Sequence, residues 1–104
     1  MVPPPRAFRL VWRAFDSFEF DDAKNEELVA YRGFDFYYAS TLFPGYVLER
    51  VDTRFRRETR YQVIGEVFDD ILMLAYTLRH DNCRLITAWR AGPLERGLWY
   101  DHAR

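Results

Sequence analysis

Cysteine, lysine, histidine and long apolar runs are all scarce in this sequence of 104 residues. The single cysteine, Cys83, excludes an intrachain disulfide and is typical of a protein from a reducing compartment. The longest apolar stretch, residues 71–78, has the length of a strand, whereas a membrane helix needs roughly 18 apolar residues. The N-terminus also lacks the basic-then-apolar order of a signal peptide. We therefore expect a soluble, cytoplasmic protein that does not bind a membrane.

Motifs of several common enzyme classes are also missing. The chain has no glycine-rich phosphate loop, no paired-cysteine metal spacing and no serine nucleophile elbow. His80 and Cys83 are close in sequence, but they flank a predicted turn and have no second pair of ligands nearby. An ordinary hairpin residue and a buried thiol are therefore the favoured interpretation. His102 is interpreted as a surface residue near the terminus. We expect neither a metal nor another cofactor.

Charge is nearly balanced overall but unevenly distributed along the chain. There are 15 basic and 16 acidic side chains, for a formal net charge of −1, which counts against a function that requires a uniformly basic surface. Residues 1–15 carry a net charge of +3, residues 16–49 of −6 and residues 50–104 of +2. Lys24 is the only lysine, so arginine, which binds phosphate oxygens two at a time, dominates the basic set.

The first half of the chain combines strand and helix signals. Apolar residues alternate weakly over residues 8–14 and more clearly over residues 17–20, as in strands. The aspartates at 21–22 predict the start of a helix over residues 23–32 that Gly33 ends. Asp35 predicts a second helix over residues 36–43, which Pro44-Gly45 ends.

The second half is rich in β-branched and aromatic residues. Four strands are predicted, at residues 46–51, 60–67, 71–79 and 83–90. Their short connections require antiparallel neighbours. Gly92-Pro93 then predicts a last helix to about residue 102. The fold class is therefore α+β, with a small antiparallel sheet (a meander of three to four strands plus an N-terminal strand) packed against two to three helices.

Arginines form the most informative group of polar residues. Five of them fall within eleven residues: Arg50, Arg54, Arg56, Arg57 and Arg60. A solvated, charge-protected loop and a phosphate-facing loop both fit this cluster. Arg84 and Arg90 are an even number of residues apart on one predicted strand, so we expect them on the same face, paired with acids or with an anionic ligand. Glu95 can pair with one of them or transfer protons. On these grounds alone, structural pairing is slightly favoured.

Three segments in order carry a family resemblance. They are Phe-Glu-Phe-Asp-Asp-Ala-Lys at 18–24 with Gly33 and Thr-Leu-Phe at 41–43, Arg-Tyr-Gln-Val-Ile-Gly at 60–65, and Arg-Leu-Ile-Thr-Ala-Trp-Arg-Ala at 84–91 with Glu-Arg at 95–96 and Tyr100 behind it. This order of motifs resembles the BrnT toxins over most of the chain. The resemblance implies a ribonuclease toxin of a type II toxin–antitoxin system with a RelE-like fold. Residues 1–17 are then an N-terminal extension, and residues 18–104 a single domain.

The resemblance also implies a mechanism and a site. The ribose 2′-oxygen would attack its own phosphate without a metal, which requires cations, a proton acceptor and a donor for the leaving oxygen. The implied catalytic residues are Lys24, Arg79, Arg84 and Arg90 for charge stabilisation, Glu95 as base, and Tyr100 as hydrogen-bond donor or stacking residue. The implied RNA-contacting residues are Arg32, Arg54, Arg56, Arg57 and Arg60.

The implied partner is BrnA, an antitoxin with a ribbon-helix-helix DNA-binding domain. We expect it to form a hetero-oligomer with this chain and to cover the arginine-bearing surface with acidic side chains. DNA would be contacted only through the antitoxin.

The chain departs from the family pattern at the end of the first helix and in the last strand. The family usually has Asn and then Lys-His-Gly, where this chain has Leu28 and Tyr31-Arg32-Gly33, and Trp89 occupies an arginine position. A second hypothesis is therefore a catalytically degenerate domain that only binds an antitoxin or another protein. A third is an unrelated α+β interaction domain whose motif match is accidental.

Overall fold

The computed structural model describes residues 7–80 and 82–103. Its elements, in chain order, are β1 (Arg9–Arg13), β2 (Phe18–Glu19), α1 (Asp22–Arg32), α2 (Phe36–Ser40), β3 (Gly45–Asp52), β4 (Arg60–Val67), β5 (Asp70–Arg79), β6 (Asn82–Arg90) and α3 (Pro93–His102). The predicted α+β class is confirmed. The first six residues of the predicted N-terminal extension lie outside the described ranges, and the proposed domain boundary stays a prediction. No helix in the described ranges is long and apolar enough to cross a membrane.

The strands form one mixed sheet in the order β1-β3-β4-β5-β6-β2. Every neighbouring pair is antiparallel except β2 and β6, which run parallel with Phe18 opposite Cys83 and Glu19 opposite Arg84. The predicted antiparallel sheet of meander plus N-terminal strand was therefore too small. A parallel pair needs a long crossover, and here the first two helices and strands β3 to β5 lie between its strands. Local alternation cannot reveal such a pairing.

The first two helices begin at aspartate caps, as predicted. The Asp21 side chain accepts a hydrogen bond from the backbone N–H of Lys24 at 3.0 Å, and Gly33 ends α1 in the left-handed conformation (φ 76°). Asp35 caps α2 in the same way. This helix ends at Ser40, earlier than predicted, because the following N–H groups bond to carbonyls three residues back, as in a tightened final turn.

Two hydrophobic clusters lie on opposite faces of the sheet. The helix-pair face, covered by α1 and α2, buries side chains such as Val63, Leu74 and Leu85. The α3 face buries Ile64 and Met73 beneath Trp99 of α3, and the indole N–H of Trp99 donates to Glu66 at 3.0 Å. Alternate residues of each strand therefore supply the two cores.

An irregularity in β6 reverses the side-chain alternation of this strand. Ala75 of β5 pairs with Thr87 and the next residue, Tyr76, pairs with Leu85, so Ile86 is an extra residue. As a result Leu85 and Ala88, three residues apart, both join the core of the helix-pair face.

The bulge separates two arginines that even spacing had placed together. Arg84 lies on the α3 face, opposite Thr77. Arg90 lies on the helix-pair face, where its guanidinium carbon is 5.1 Å from the ring centroid of Phe34. The prediction that Arg84 and Arg90 share a face of the strand is therefore wrong. The physical reason is one inserted residue that alternation arguments do not detect.

Candidate functional site

A cleft of about 550 Å³ lies where β4 begins, β5 ends and β6 begins, with α1 as one wall. The residues that line it are Asp21, Ala23, Lys24, Glu27, Glu58, Arg60, Thr77, Arg79, Arg84, Leu85 and Ile86. The four basic side chains in this set come from one helix and three strands. The cleft therefore brings together three of the predicted catalytic residues, Lys24, Arg79 and Arg84, and one predicted RNA-contacting residue, Arg60.

Strand register places two of these arginines in a single row. Arg60 of β4 is opposite Thr77 of β5, and Thr77 is opposite Arg84 of β6. Side chains that face each other across neighbouring strands lie about 5 Å apart at Cβ. Thr77 is buried and its hydroxyl donates to the carbonyl of Thr59 at 2.6 Å. The guanidinium groups of Arg60 and Arg84 thus lie on either side of Thr77, whose hydroxyl is held by a hydrogen bond. This arrangement is suited to the binding of a single phosphate.

Lys24 reaches the cleft because of the parallel strand pair. β2 pairs with β6 at Arg84 and leads directly into α1. The Asp21 cap fixes the first turn of that helix, so Lys24 lies beside the beginning of β6. Its ammonium nitrogen is 3.8 Å from a carboxylate oxygen of Glu27, and both side chains are well exposed.

Three of the four cations of the cleft have an acidic partner within the described ranges, at different distances. Arg84 lies 3.7 Å from Glu19, and Arg60 lies 3.2 Å from Glu58. Arg79 forms no ion pair with any other residue in the described part of the chain. The pair of Lys24 with Glu27 is exposed, and such a pair contributes about 0–1 kcal/mol. Arg60 is partly buried and donates two hydrogen bonds to Glu58, at 3.3 and 3.2 Å. An anionic ligand therefore competes with Glu58 for Arg60 and, among the described residues, displaces no acid from Arg79.

Arg32 lies next to the cleft and is held by β6. Its guanidinium donates to the carbonyl of Ala88 at 2.5 Å and to the hydroxyl of Thr87 at 3.1 Å. It also lines a smaller cavity of about 140 Å³ with Lys24, Glu27, Leu28 and Tyr31.

The three arginines of the β3–β4 connection have different surroundings. Arg54 donates to both carboxylate oxygens of Asp52, at 2.9 and 2.6 Å, and these bonds hold the pKa of Asp52 below its usual value. Arg56 and Arg57 are exposed. Glu58, near the end of this connection, lines the cleft, whereas Arg54 lines a different cavity with Arg50 and Gln62.

Three other predicted catalytic residues lie away from the cleft. Arg90 is six residues from Arg84 along β6, a distance of roughly 20 Å at the usual rise of a strand. It donates to the carbonyl of Arg32 at 2.6 Å and lies 3.7 Å from Asp70.

Glu95 and Tyr100 belong to α3, which begins after β6 has ended. They and Arg90 are absent from the described lining of the cleft. A catalytic role for these three residues stays a prediction.

The cleft also contains polar residues that sequence reasoning did not assign. They are Asp21, Glu27, Glu58 and Thr77. Glu58 carried a weak signal, since it lies among the arginines two residues before Arg60. Its place in the cleft depends on the pairing of three strands, which local sequence does not specify.

Metal-ligating side chains do not cluster in the described part of the chain. No group of three or more His, Cys, Asp or Glu residues there is arranged to hold a metal ion. Cys83 is fully buried, and burial raises the pKa of its thiol to about 12. A thiol in this state is a packing residue rather than a nucleophile.

Comparison with known families agrees with the geometry. The sequence profile of a family described as "Ribonuclease toxin, BrnT, of type II toxin-antitoxin system" matches residues 20–95. That range contains all four cations of the cleft. No curated protein matches the chain. Because the matched range covers most of the 104 residues, the chain belongs to the BrnT family of ribonuclease toxins of type II toxin–antitoxin systems.

Proposed function

We propose that this protein is an endoribonuclease toxin that cleaves RNA in the cleft between α1 and the ends of β4, β5 and β6, without a metal ion. The observation that carries the proposal is the convergence of Lys24, Arg60, Arg79 and Arg84 on one open cleft. Family membership supports the reaction class. We also assign the fold to the RelE-like group on the basis of the same family.

The cations of the cleft are suited to a phosphodiester. Arg60 and Arg84, on either side of Thr77, present guanidinium forks that match phosphate oxygens. Arg79 and Lys24 add positive charge from the adjoining walls. The β3–β4 connection is assigned to phosphates farther along the RNA, through Arg54, Arg56 and Arg57. Arg32 is assigned to the RNA on the side of α1.

The reaction proceeds by attack within the RNA. A carboxylate takes the proton of the ribose 2′-hydroxyl, the 2′-oxygen bonds to phosphorus, and the bond from phosphorus to the 5′-oxygen breaks. The products are a 2′,3′-cyclic phosphate and a 5′-hydroxyl. Fixed cations aimed at the phosphorane oxygens stabilise the charge that develops in the transition state.

We assign the proton transfers to residues that line the cleft. Glu58 is the proton acceptor, since it adjoins Arg60 and its side chain is only one-third exposed (33%). Lys24, on the opposite wall, transfers a proton from its ammonium group to the leaving 5′-oxygen, which departs as the 5′-hydroxyl. Glu95, which the family resemblance implied as the base, is not needed in this arrangement.

Substitutions in the cleft test the proposal. Arg84→Ala and Lys24→Ala should each lower the rate of RNA cleavage by about 10²–10³-fold, because each removes a group aimed at the transition-state charge. Glu58→Gln should lower it by about 10²–10⁴-fold. Cells that express any of the three variants should also grow better than cells that express wild type.

The matched control is Arg9→Ala, which removes an exposed arginine from the opposite edge of the sheet. It should cleave RNA at the wild-type rate, and thermal unfolding verifies that every variant is folded. If purified wild-type protein leaves RNA intact and its expression does not slow growth, the enzyme proposal fails. If all variants cleave RNA at the same rate as wild type, the active site lies outside this cleft.

A type II family implies a protein antitoxin as partner. We propose that this partner resembles BrnA, with a ribbon-helix-helix domain, and that it forms a hetero-oligomer in which only the antitoxin touches DNA. Acidic side chains of the antitoxin would pair with the cations of the cleft and exclude the RNA. An open reading frame for such a protein beside this one, and copurification of the two chains, test this assignment.

A second candidate function is a binding module that has lost catalysis. The observation that favours it is that Arg32 occupies the position of the family's histidine, so the chain has no ionisable imidazole there. The guanidinium of Arg32 instead donates hydrogen bonds to Ala88 and Thr87. Copurification with the antitoxin, together with an absence of RNA cleavage by the isolated chain, would establish this alternative.

A further inference from the structure

We propose that Tyr31 is a stacking platform for one base of the bound RNA, at a nucleotide that flanks the scissile phosphate. This inference rests on the proposed function of the cleft. Tyr31 is 86% exposed, the highest value among the exposed large hydrophobic residues in the described part of the chain. It stands three residues after Leu28, which α1 buries against the core.

The helix places Tyr31 in line with the cleft. Lys24, Glu27, Leu28 and Tyr31 follow the spacing of one helix face. Lys24 and Glu27 line both the large cleft and the smaller cavity of about 140 Å³ that contains Tyr31. The two cavities are therefore contiguous along α1. Seven residues separate Lys24 from Tyr31, which corresponds to about 10 Å along a helix axis.

A cation held in place by hydrogen bonds lines the same small cavity as Tyr31. The guanidinium of Arg32 is held by the Ala88 carbonyl and the Thr87 hydroxyl, and its central carbon is 5.9 Å from the ring centroid of Trp89. The small cavity thus combines an exposed aromatic face with two cations, Lys24 and Arg32. Single-stranded nucleic acids are bound by this combination, in which cations follow the phosphates and aromatic rings stack on bases.

The surroundings of Tyr31 favour RNA over a protein partner as its occupant. Three of the other four residues that line the small cavity are charged. Anchors of protein interfaces instead lie in apolar, fully desolvated pockets. An exposed ring in a cavity with two cations accepts a base without burying those charges, because the phosphates of the same RNA strand pair with them.

Binding measurements with a non-cleavable RNA test the inference directly. The probe is a single-stranded oligonucleotide with 2′-O-methyl groups, which block attack by the 2′-oxygen. Tyr31→Ala should weaken its affinity by about 5- to 150-fold, the usual loss for a base–aromatic stack. Tyr31→Phe, which keeps the ring, should bind like wild type. In cleavage assays Tyr31→Ala should raise KM and leave kcat unchanged, as expected for binding that is equal in the ground and transition states.

Phe68→Ala is the matched control, because it removes a ring that is 81% exposed from the turn between β4 and β5. It should leave the affinity unchanged.

An abasic scan of the same oligonucleotide identifies the stacked base. In wild type, removal of the base at one position should reduce affinity as strongly as Tyr31→Ala does. In Tyr31→Ala the same abasic substitution should have no further effect, since the two changes remove one interaction. Equal affinity of Tyr31→Ala and wild type, or an abasic penalty that persists in the variant, would overturn the inference.

Failure of this inference is distinguishable from failure of the proposed function. If wild type neither binds nor cleaves RNA, the proposed function fails and the stacking role fails with it. If wild type cleaves RNA and Tyr31→Ala binds it equally well, only the stacking role is removed. If Tyr31→Ala loses affinity for a copurified antitoxin and not for RNA, the ring belongs to a protein interface instead.

Discussion

Glu49 is a buried carboxylate of β3 that depends on two side chains distant in sequence. Arg13 of β1 donates to both of its oxygens, at 3.0 and 2.6 Å, and the Tyr76 hydroxyl of β5 donates to it as well. Burial and the adjacent carboxylate raise the pKa of Tyr76, so the phenol keeps the proton that it donates. This triad joins the edge strand to the centre of the sheet.

Removal of the cation from this triad should destabilise the fold. Arg13→Ala leaves Glu49 buried without its counter-charge, and loss of one partner of a fully buried pair costs about 3–5 kcal/mol. Because the Arg13 side chain is 39% exposed, we expect a smaller loss of about 2–3 kcal/mol in the free energy of unfolding. Urea titration measures it. Arg57→Ala, which removes an exposed arginine of the β3–β4 connection, should stay within about 0.5 kcal/mol of wild type. Equal midpoints for the two variants would contradict the role of the triad.

Cys83 should make stability depend on pH in the alkaline range. Burial raises the pKa of its thiol from the ordinary value of 9.0 to about 12. Between these values the unfolded chain releases the proton and the folded chain keeps it. The free energy of unfolding is therefore unaffected by this group below pH 9.0, and it falls by about 1.4 kcal/mol per pH unit as the pH rises toward the folded value.

Comparison with Cys83→Ala isolates this contribution of the thiol. Urea titrations at several pH values from about 8 to about 10.5 cover the range in which the Cys83 thiol of the unfolded chain loses its proton. The wild-type curve should fall more steeply than that of the variant, whatever constant offset the lost packing produces. Parallel curves would show that the thiol titrates alike in both states.

At the scale of elements, α1 connects a cap to the site. The Asp21 carboxylate accepts the N–H of Lys24, and both residues line the cleft. Asp21→Ala should lower the free energy of unfolding by about 0.5–2 kcal/mol, the usual cost of a lost cap. Asp21→Asn, which keeps the acceptor and removes the charge, should be nearly as stable as wild type. Thermal and urea unfolding of the three proteins measure the effect, and an Asn variant as unstable as the Ala variant would refute the capping role.

Elements with local signals were predictable from the sequence. Asp21 and Gly33 specified α1 to within a residue, because capping depends on neighbours in the chain. The meander was predictable for the same reason, since alternation and short turns are local.

Features that depend on distant pairing were not predictable. β2 has only two residues, and its partner β6 is the last strand of the meander. The bulge at Ile86 inserts a single residue without a turn signal, so Arg84 and Arg90 were assigned to one face. In the site, the cations Lys24 and Arg84 were predicted from the family resemblance. The carboxylate of Glu58 was not, because only the register of β4 with its neighbours brings that loop end to the cleft.

At the scale of the whole molecule, basic side chains are concentrated in one cleft, although the net charge is close to zero. The formal net charge is −1, yet four basic side chains meet in one cleft. Non-specific affinity for nucleic acid comes from cations spread over a surface. We therefore expect this chain to bind RNA through a few phosphates at one place, with little attraction elsewhere.

Salt dependence distinguishes such a local site from a broadly basic surface. For single strands the slope of log K against log salt concentration is about −0.7 per neutralised phosphate. Contacts to about three phosphates predict a slope near −2, or about a 15-fold loss of affinity between roughly 50 and 200 mM salt. Arg84→Ala should reduce the magnitude of the slope by about 0.7, since one phosphate contact is lost. Arg9→Ala removes the same charge from the opposite edge of the sheet and should leave the slope unchanged. Equal slopes for these two variants would place the phosphates outside the cleft, because the slope counts only cations that the RNA contacts.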